Sequence, residues 1–236
     1  MRPWLDVRTS GSNGKYREHF VRNWINSLNP NGEEIFLDIG AGNMPYKSFV
    51  TNIGFTYISH DFGQYTGDVK FPGPQSENWP TSGHDITCEI LDLPADTADV
   101  FLCTEVLEHV PNPVTALEAI ARSLKDGGVG LITVPFQSRM HQAPYWFSSG
   151  LSPYWFIYHA PRVGLTITQM TKVGDFVDVM IQEIGVLFSN VGLQSPCVAF
   201  LRIISPVLRA LVKKSVLESG ALGVYVELKK SNESVS

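Results

Sequence analysis

FLDIGAGNMPYKSF, residues Phe36 to Phe49, is the stretch on which the reading of this chain turns. It opens as a short apolar run, bends through Gly40 and Gly42 and meets Pro45. Glycines in that position let the backbone pass close to a ligand without Cβ interference. Asp38, just before them, is an acceptor for a cationic or amide-bearing group. A dinucleotide fingerprint would place its third glycine where Pro45 stands. Proline has no amide hydrogen to offer a phosphate. The spacing therefore favours a ligand without a pyrophosphate, with a plain tight turn as the alternative.

Working outward, KYREHFVRNWINSL sets Phe20, Trp24 and Leu28 at helical spacing, and Asn29-Pro30-Asn31-Gly32 ends that helix. Residues 1–13 are polar and rich in glycine and serine, and are expected to be loose. EIFLDIG reads as a buried parallel strand. FTYISHD, HDITCEI, ADVFLCTE and VGLITVPF follow as further strands, and VTALEAIARSL is a helix that stops at Lys125-Asp126-Gly127-Gly128. After Phe136 comes an aromatic segment, Met140 to Tyr158, then GLTITQMTK, a helical region from about Asp175 to Glu218, and a last strand, GVYVELKK. Strands alternating with helices predict an α/β fold with a mostly parallel sheet. The expected organisation is one domain over residues 1–236. Its core sheet lies within 33–172, a helical insertion or cap covers 173–218, and the last strand spans 221–230.

Composition narrows the class. The chain has 236 residues, 44% hydrophobic and 17% charged, which suits a globular protein with a sizeable core. Its net charge of −5 argues against sequence-independent binding to nucleic acid. Cys88, Cys103 and Cys197 are widely spaced and form no C-x-x-C pair, so a reducing, cytoplasmic setting is expected, without disulfides. The N-terminal MRPWLDVRTSGSNGKY lacks the apolar core of a signal peptide. No uninterrupted run of about 20 apolar residues occurs, so stable membrane insertion is not expected. The nearest approach, Val198 to Val212, reads as a partly buried amphipathic helix, with interfacial membrane contact as the alternative. The apolar stretch from Gly185 to Val212 is also a candidate homodimer surface. No clustered metal-ligand pattern is visible, and no metal is expected.

Ligands of open α/β sheets bind at the carboxyl ends of the strands. Asp61 closes the second strand roughly twenty residues beyond the glycines, where an acid can accept both hydroxyls of a ribose; a helix N-cap is the plainer reading. In CEILDLP, a carboxylate such as Glu89 can accept an adenine amine while a neighbouring amide reads a ring nitrogen. Asp92 reads as a turn residue.

LDIGAGNMPY, YISHD, CEILDLP, FLCTEVLEHVPNP and LKDGGVGLITVPF, in this order and spacing, resemble the class I S-adenosylmethionine-dependent methyltransferases, and more narrowly the type 11 group. The resemblance covers roughly residues 33–172 and implies a Rossmann-like sheet flanked by helices, with a helical and aromatic insertion before the last strand. It implies S-adenosylmethionine as cofactor, with Asp38, Gly40 and Gly42 around its methionine part. Asp61 would bind the ribose, and Glu89 with the Ile90 amide would read the adenine. Thr104, Glu105 and Leu107 would line the cofactor after the fourth strand. His109 is read as structural, with catalysis as the alternative.

Beyond the fifth strand such enzymes carry their acceptor-binding groups. Here PFQSRMHQAPYWFSSGLSPYWFIYHAP supplies aromatic rings with polar tips, among them Tyr145, Tyr154 and Trp155, which suit a sugar or another flat hydroxylated acceptor. Histidine is the natural base for removing a hydroxyl proton; His141 is the first candidate and His159 the second. The expected activity is methyl transfer to a small-molecule or glycan-type acceptor, at oxygen. The alternatives are a catalytically inactive scaffold or partner subunit, and a nicotinamide-dependent oxidoreductase, which Pro45 and the missing Tyr-x-x-x-Lys set disfavour.

Overall fold

The structure is a computed structural model that describes residues 3–7, 13–65, 67, 70, 82–189 and 193–231. Its centre is an eight-stranded sheet. In chain order the strands are β1 (Leu5–Val7), β2 (Ile35–Ile39), β3 (Thr56–Asp61), β4 (Ile86–Thr87), β5 (Ala98–Thr104), β6 (Leu124–Pro135), β7 (Leu165–Val173) and β8 (Gly223–Lys230). Across the sheet they run β1-β7-β8-β6-β5-β2-β3-β4. β8 is antiparallel to both of its neighbours, while the other pairings are parallel.

The alternation of side chains along the central strands explains the two layers that cover them. Leu37, Ile39, Phe101 and Cys103 point into one core, which includes Leu117 and Ile120 of helix α3 (Pro113–Ser123). Phe36, Val100 and Leu102 point into the other, against Val21, Trp24 and Ile25 of helix α1 (Asn13–Ser27). Fully burying one such side chain contributes roughly 1.5–3 kcal/mol. α3 starts where Pro113 follows Asn112, whose side chain accepts from the amides of Val114 and Thr115.

Helices α2 (Lys47–Asn52) and α4 (Pro153–His159) flank the sheet, and α5 (Phe176–Leu187), α6 (Gln194–Leu211) and α7 (Lys214–Leu217) occupy the stretch before β8. α5 begins with a reciprocal capping box between Asp175 and Asp178. Arg209 of α6 holds both carboxylates, Nε to Asp175 and a terminal nitrogen to Asp178, each at 2.6 Å. On α6, Phe200, Ile203, Val207 and Leu211 are exposed. No helix among the described residues is long and apolar enough to cross a membrane.

Two local expectations need correction. Residues 1–13 are not loose throughout: Leu5–Val7 forms β1, parallel to Thr171–Val173 at the sheet edge. Buried Lys172 reaches Asp6 at 3.3 Å and the carbonyls of Glu218 and Gly220, which ties that edge together. Of the rest of that stretch, Pro3 and Trp4 precede β1 and Asn13 opens α1, while residues 1–2 and 8–12 lie outside the described residues. The expected strand VGLITVPF starts earlier: α3 ends at Ser123, just before Lys125-Asp126-Gly127-Gly128 as its stop signal implies, and β6 begins at once at Leu124, with an irregularity opposite Ala98 to Val100.

Candidate active site

β2 lies between β3 on one side and β5 on the other, so the strand order reverses there and a crevice opens at the carboxyl ends. The cleft has a volume of about 190 Å³, many times what a single water requires. Gly40, Asp61, Glu89, Ile90 and Glu105 line one part of it; Val106, His109, Gln142, Tyr145 and Phe147 line another.

The turn after β2 is built by its glycines. Gly40 has φ +67°, and a Cβ there would stand 2.4 Å from Cγ2 of Val106. The Gly42 amide donates to Oδ2 of Asp61 at 3.1 Å, and the Gly63 amide to Oδ1 at 3.0 Å. Asp61 is thus fixed by two backbone donors, one on each oxygen, and a carboxylate has lone pairs left for two more. Glu89 is exposed at the rim, where Gln64 donates to it at 3.3 Å.

Asp38 and Gly42 are not among the lining residues: Asp38 lies within β2, and Gly42 belongs to the turn itself. Asp38 is buried and accepts the Tyr57 hydroxyl at 2.6 Å. Burial first, and the nearby Asp61 charge, push its carboxyl up to about 7 against the opposing pull of the Tyr57 bond. Thr104 and Leu107 also lie off the lining, and Leu107 belongs to the core.

Glu105 carries φ +56°, a left-handed conformation uncommon outside glycine. Three contacts hold it there. Its amide donates to the Thr133 carbonyl at 2.9 Å, the Thr133 hydroxyl donates to Oε1 at 3.1 Å, and Arg17 of α1 pairs with Oε2 at 2.8 Å.

On the far wall Tyr145 meets Phe62 edge-on at 5.0 Å and Tyr65 at 6.4 Å. The Tyr145 carbonyl accepts from Nδ1 of His109. Burial, the largest influence, lowers the His109 imidazolium to about 4, so the ring is neutral at pH 7. His141 does not border the cleft, but its ring packs edge-on against that of His109 at 4.7 Å.

The structure does not bring the α4 candidates to this place. Tyr154 is exposed against Trp4 at 5.2 Å, and His159 packs on Trp155 and Tyr158 at the end of the helix. Trp155 packs on the core beneath. Their segment is turned away because Pro153 and the Ser152 cap start a helix whose buried face, Phe156, is committed to the sheet. Residues that motif reading passed over include His60, Phe62, Tyr65 and Gln142. His60 and Phe62 flank Asp61 in sequence, a signal that was available; Gln142 is placed only by the fold.

A doubly wound sheet with a sharp glycine turn, a pinned acid after the next strand and an aromatic far wall is the architecture of the class I, S-adenosylmethionine-dependent methyltransferases. Comparison with known proteins agrees: a methyltransferase-domain family matches residues 14–192, and the chain belongs to it. It is 31% identical over 109 residues to the ubiquinone biosynthesis O-methyltransferase of Pseudomonas fluorescens (strain SBW25), covering 45% of this chain and 46% of that protein. The chain thus matches less than half the length of that curated relative. Among solved structures it resembles an S-adenosylmethionine-dependent methyltransferase from Archaeoglobus fulgidus, with a TM-score of 0.56 at 15% identity, over 92% of this chain and 94% of the other. It also resembles phosphoethanolamine N-methyltransferase 2 of Haemonchus contortus in complex with S-adenosyl-L-methionine, with a TM-score of 0.52 at 13% identity, over 90% and 53% of the two chains. Those two likenesses bear on the fold.

Proposed function

We propose that this chain transfers a methyl group from S-adenosylmethionine to a hydroxyl oxygen of a small acceptor of aromatic or sugar type. The observation that carries the reading is a single cleft that runs from Asp61 and Glu89 past Gly40 to Tyr145, Phe147 and His109. The donor set suits the cofactor: the free lone pairs of Asp61 for ribose hydroxyls, Glu89 with the Ile90 amide for adenine. Gly40 leaves room for the methionine part, while the Gly42 amide holds Asp61 and Asp38, bonded to Tyr57, anchors the strand before the turn. Leu107 belongs to the core and Thr104 ends β5, while Glu105 beside it presents a fixed carboxylate to the cleft.

When bound, S-adenosylmethionine supplies an electrophilic methyl on a sulfonium, so the protein's share is positioning and removal of the acceptor's proton. Tyr145 and Phe147 give a flat wall for a ring. The ubiquinone-pathway relative is an O-methyltransferase by name, which favours oxygen over nitrogen or carbon. The device for the proton lies on the flank where His109 borders the cleft and His141 backs it.

The test is transfer of an isotope-labelled methyl to a panel of catechols, phenols and free sugars, read by mass spectrometry. Tyr145→Ala should raise KM for the accepted compound by about tenfold, the loss expected of one aromatic contact of ~1.4 kcal/mol. Labelling of none of the panel by a chain that binds S-adenosylhomocysteine would favour the inactive-scaffold reading. A methylated amine or carbon in place of a hydroxyl would overturn the choice of oxygen.

A further inference from the structure

The helices before β8 carry apolar surface that the fold leaves uncovered. The inner side of α6 is committed. Val198 meets α5 where Gly185 has no side chain, since a Cβ there would stand 2.7 Å from Cγ2 of Val198. Arg209 is engaged with the Asp175 and Asp178 carboxylates at the start of α5. Pro206 has no amide hydrogen for the Arg202 carbonyl one turn back. The Ser205 hydroxyl donates to that carbonyl at 2.9 Å instead, and the helix runs on through the proline. α6 is thus held in one orientation.

Its outer side is apolar as well. Pro196, Phe200, Ile203, Val207 and Leu211 recur at the spacing of one helical face. All five are exposed, Ile203 by 77% and Leu211 by 78%. Apart from Gln194 and Arg202, every exposed side chain described on α6 is apolar. Leu187 near the end of α5 and Leu193 just before α6 are exposed beside the start of this face. The Leu193 amide donates to the Phe188 carbonyl at 3.3 Å, which holds the two ends together. Single exposed leucines are ordinary, but a continuous stripe marks a contact surface.

The charge around the stripe has one sign. From Ile184 to Leu217 the sequence holds Arg202, Arg209, Lys213 and Lys214 and no aspartate or glutamate, within a chain of net charge −5. Lys214 stands 3.7 Å from Glu218, which lies just outside the stretch. Arg202, next to Ile203, and Lys213, just past the last turn, are exposed and have no ion-pair partner among the described residues.

Those charges select the occupant. A twofold contact between copies sets a patch against itself. Arg202 and Lys213 would then face their own kind with no carboxylate from this stretch between them, and like charges brought together oppose association. Nor does any described helix suit a span, being too short or too polar to cross a membrane. An anionic bilayer surface answers both features. Its phosphates meet the cations, while an apolar helix face sinks below the headgroups.

We propose that α6 is a peripheral membrane anchor, which lays its Phe200, Ile203, Val207 and Leu211 face into the surface of an anionic bilayer. Arg202 and Lys213 bind lipid phosphates at the edge of that face, their long stems lying along the apolar surface. The rest of the chain is acidic in balance and is held off the lipid, so the contact also orients the molecule.

The test is cosedimentation of the full chain with vesicles of phosphatidylcholine containing about one-third phosphatidylglycerol, against vesicles of phosphatidylcholine alone. The wild type should bind the anionic vesicles at least about tenfold more tightly, and raised salt should weaken that binding. Ile203→Asp with Leu211→Asp should weaken it by about 100-fold or more. Both positions are exposed, and circular dichroism verifies that the variant folds. Arg202→Ala with Lys213→Ala should weaken it by roughly 25-fold, about fivefold for each charge. Sedimentation without lipid should show a monomer. No binding by the folded wild type, binding that survives in Ile203→Asp with Leu211→Asp, or equal binding to both kinds of vesicle overturns the anchor. A stable dimer in solution that the two aspartates dissociate overturns it too, and gives the face to a second copy.

Discussion

The two walls of the cleft are specified in different ways. On the side proposed for the cofactor, each group comes from the end of a strand and is fixed by the two adjoining turns: Gly40 by its left-handed backbone, Asp61 by the amides of Gly42 and Gly63. On the side proposed for the acceptor, groups from the turn after β5 and the segment after β6 meet across the fold, as His109 does with Tyr145 and His141. A wall made of local turns is written in short motifs. A wall made of tertiary meetings is written nowhere in one stretch.

Breaking the cofactor wall should give the largest effect. Gly40→Val adds a β-branched side chain at φ +67° against Val106. Left-handed strain and overpacking each cost roughly 1–3 kcal/mol, so thermal melting should show a loss of about 2–6 kcal/mol, with no detectable nucleoside binding. A stable, binding-competent Gly40→Val would mean the turn is not as tight as its geometry states.

Asp61→Ala comes next. It removes two backbone hydrogen bonds to a charged group and the proposed ribose acceptor, and should weaken S-adenosylhomocysteine binding by about 100-fold, roughly 3 kcal/mol. Calorimetric titration reads it directly. A loss under about threefold would place the ribose elsewhere.

Asp38 sharpens the comparison through pH. Its carboxyl is raised to about 7 in the folded protein from an ordinary 3.8. The folded state therefore holds the proton more tightly between those values, and this group's contribution to stability falls as pH rises from about 4 to 7, then levels off. Asp38→Asn keeps an acceptor for Tyr57 without the charge. Urea unfolding at pH 5 and pH 8 should show the variant gaining on the wild type at pH 8 by up to a few kcal/mol. An equal difference at both pH values would mean Asp38 titrates normally.

The smallest effects belong to α4. Tyr154→Ala and His159→Ala lie outside the cleft lining and should change KM and kcat by less than about threefold, against about tenfold in KM for Tyr145→Ala. A large effect at His159 would restore the sequence expectation of a base there.

These contrasts also explain how much the sequence could say. The buried strand β2, the glycine turn and the acid ending β3 follow from apolar runs and backbone demands, which are local. β1 was not legible, because three residues become a strand only by pairing with β7, far along the chain. The helix stop at Lys125 to Gly128 was legible in its two glycines, but the start of β6 was not, since the strand already pairs at Leu124 with Ala98 and carries the glycines through an irregularity. Tyr145 was found as an aromatic with a polar tip, but Tyr154 and Trp155 fit the same description and face elsewhere. Composition cannot tell which face of α4 is buried. The meeting of His109 and His141 was invisible for the same reason: adjacency in space between two strand ends has no linear spacing.

The central claim is that the turn Asp38 to Pro45 and the acid Asp61 hold a nucleoside without a pyrophosphate. Calorimetric titration of the purified chain with S-adenosylhomocysteine, with NAD and NADP alongside, tests it most directly. The account predicts micromolar binding of S-adenosylhomocysteine alone, on the order of −8 kcal/mol, and its loss in Asp61→Ala. Tight binding of NAD or NADP, or no binding of S-adenosylhomocysteine to the folded chain, would contradict it.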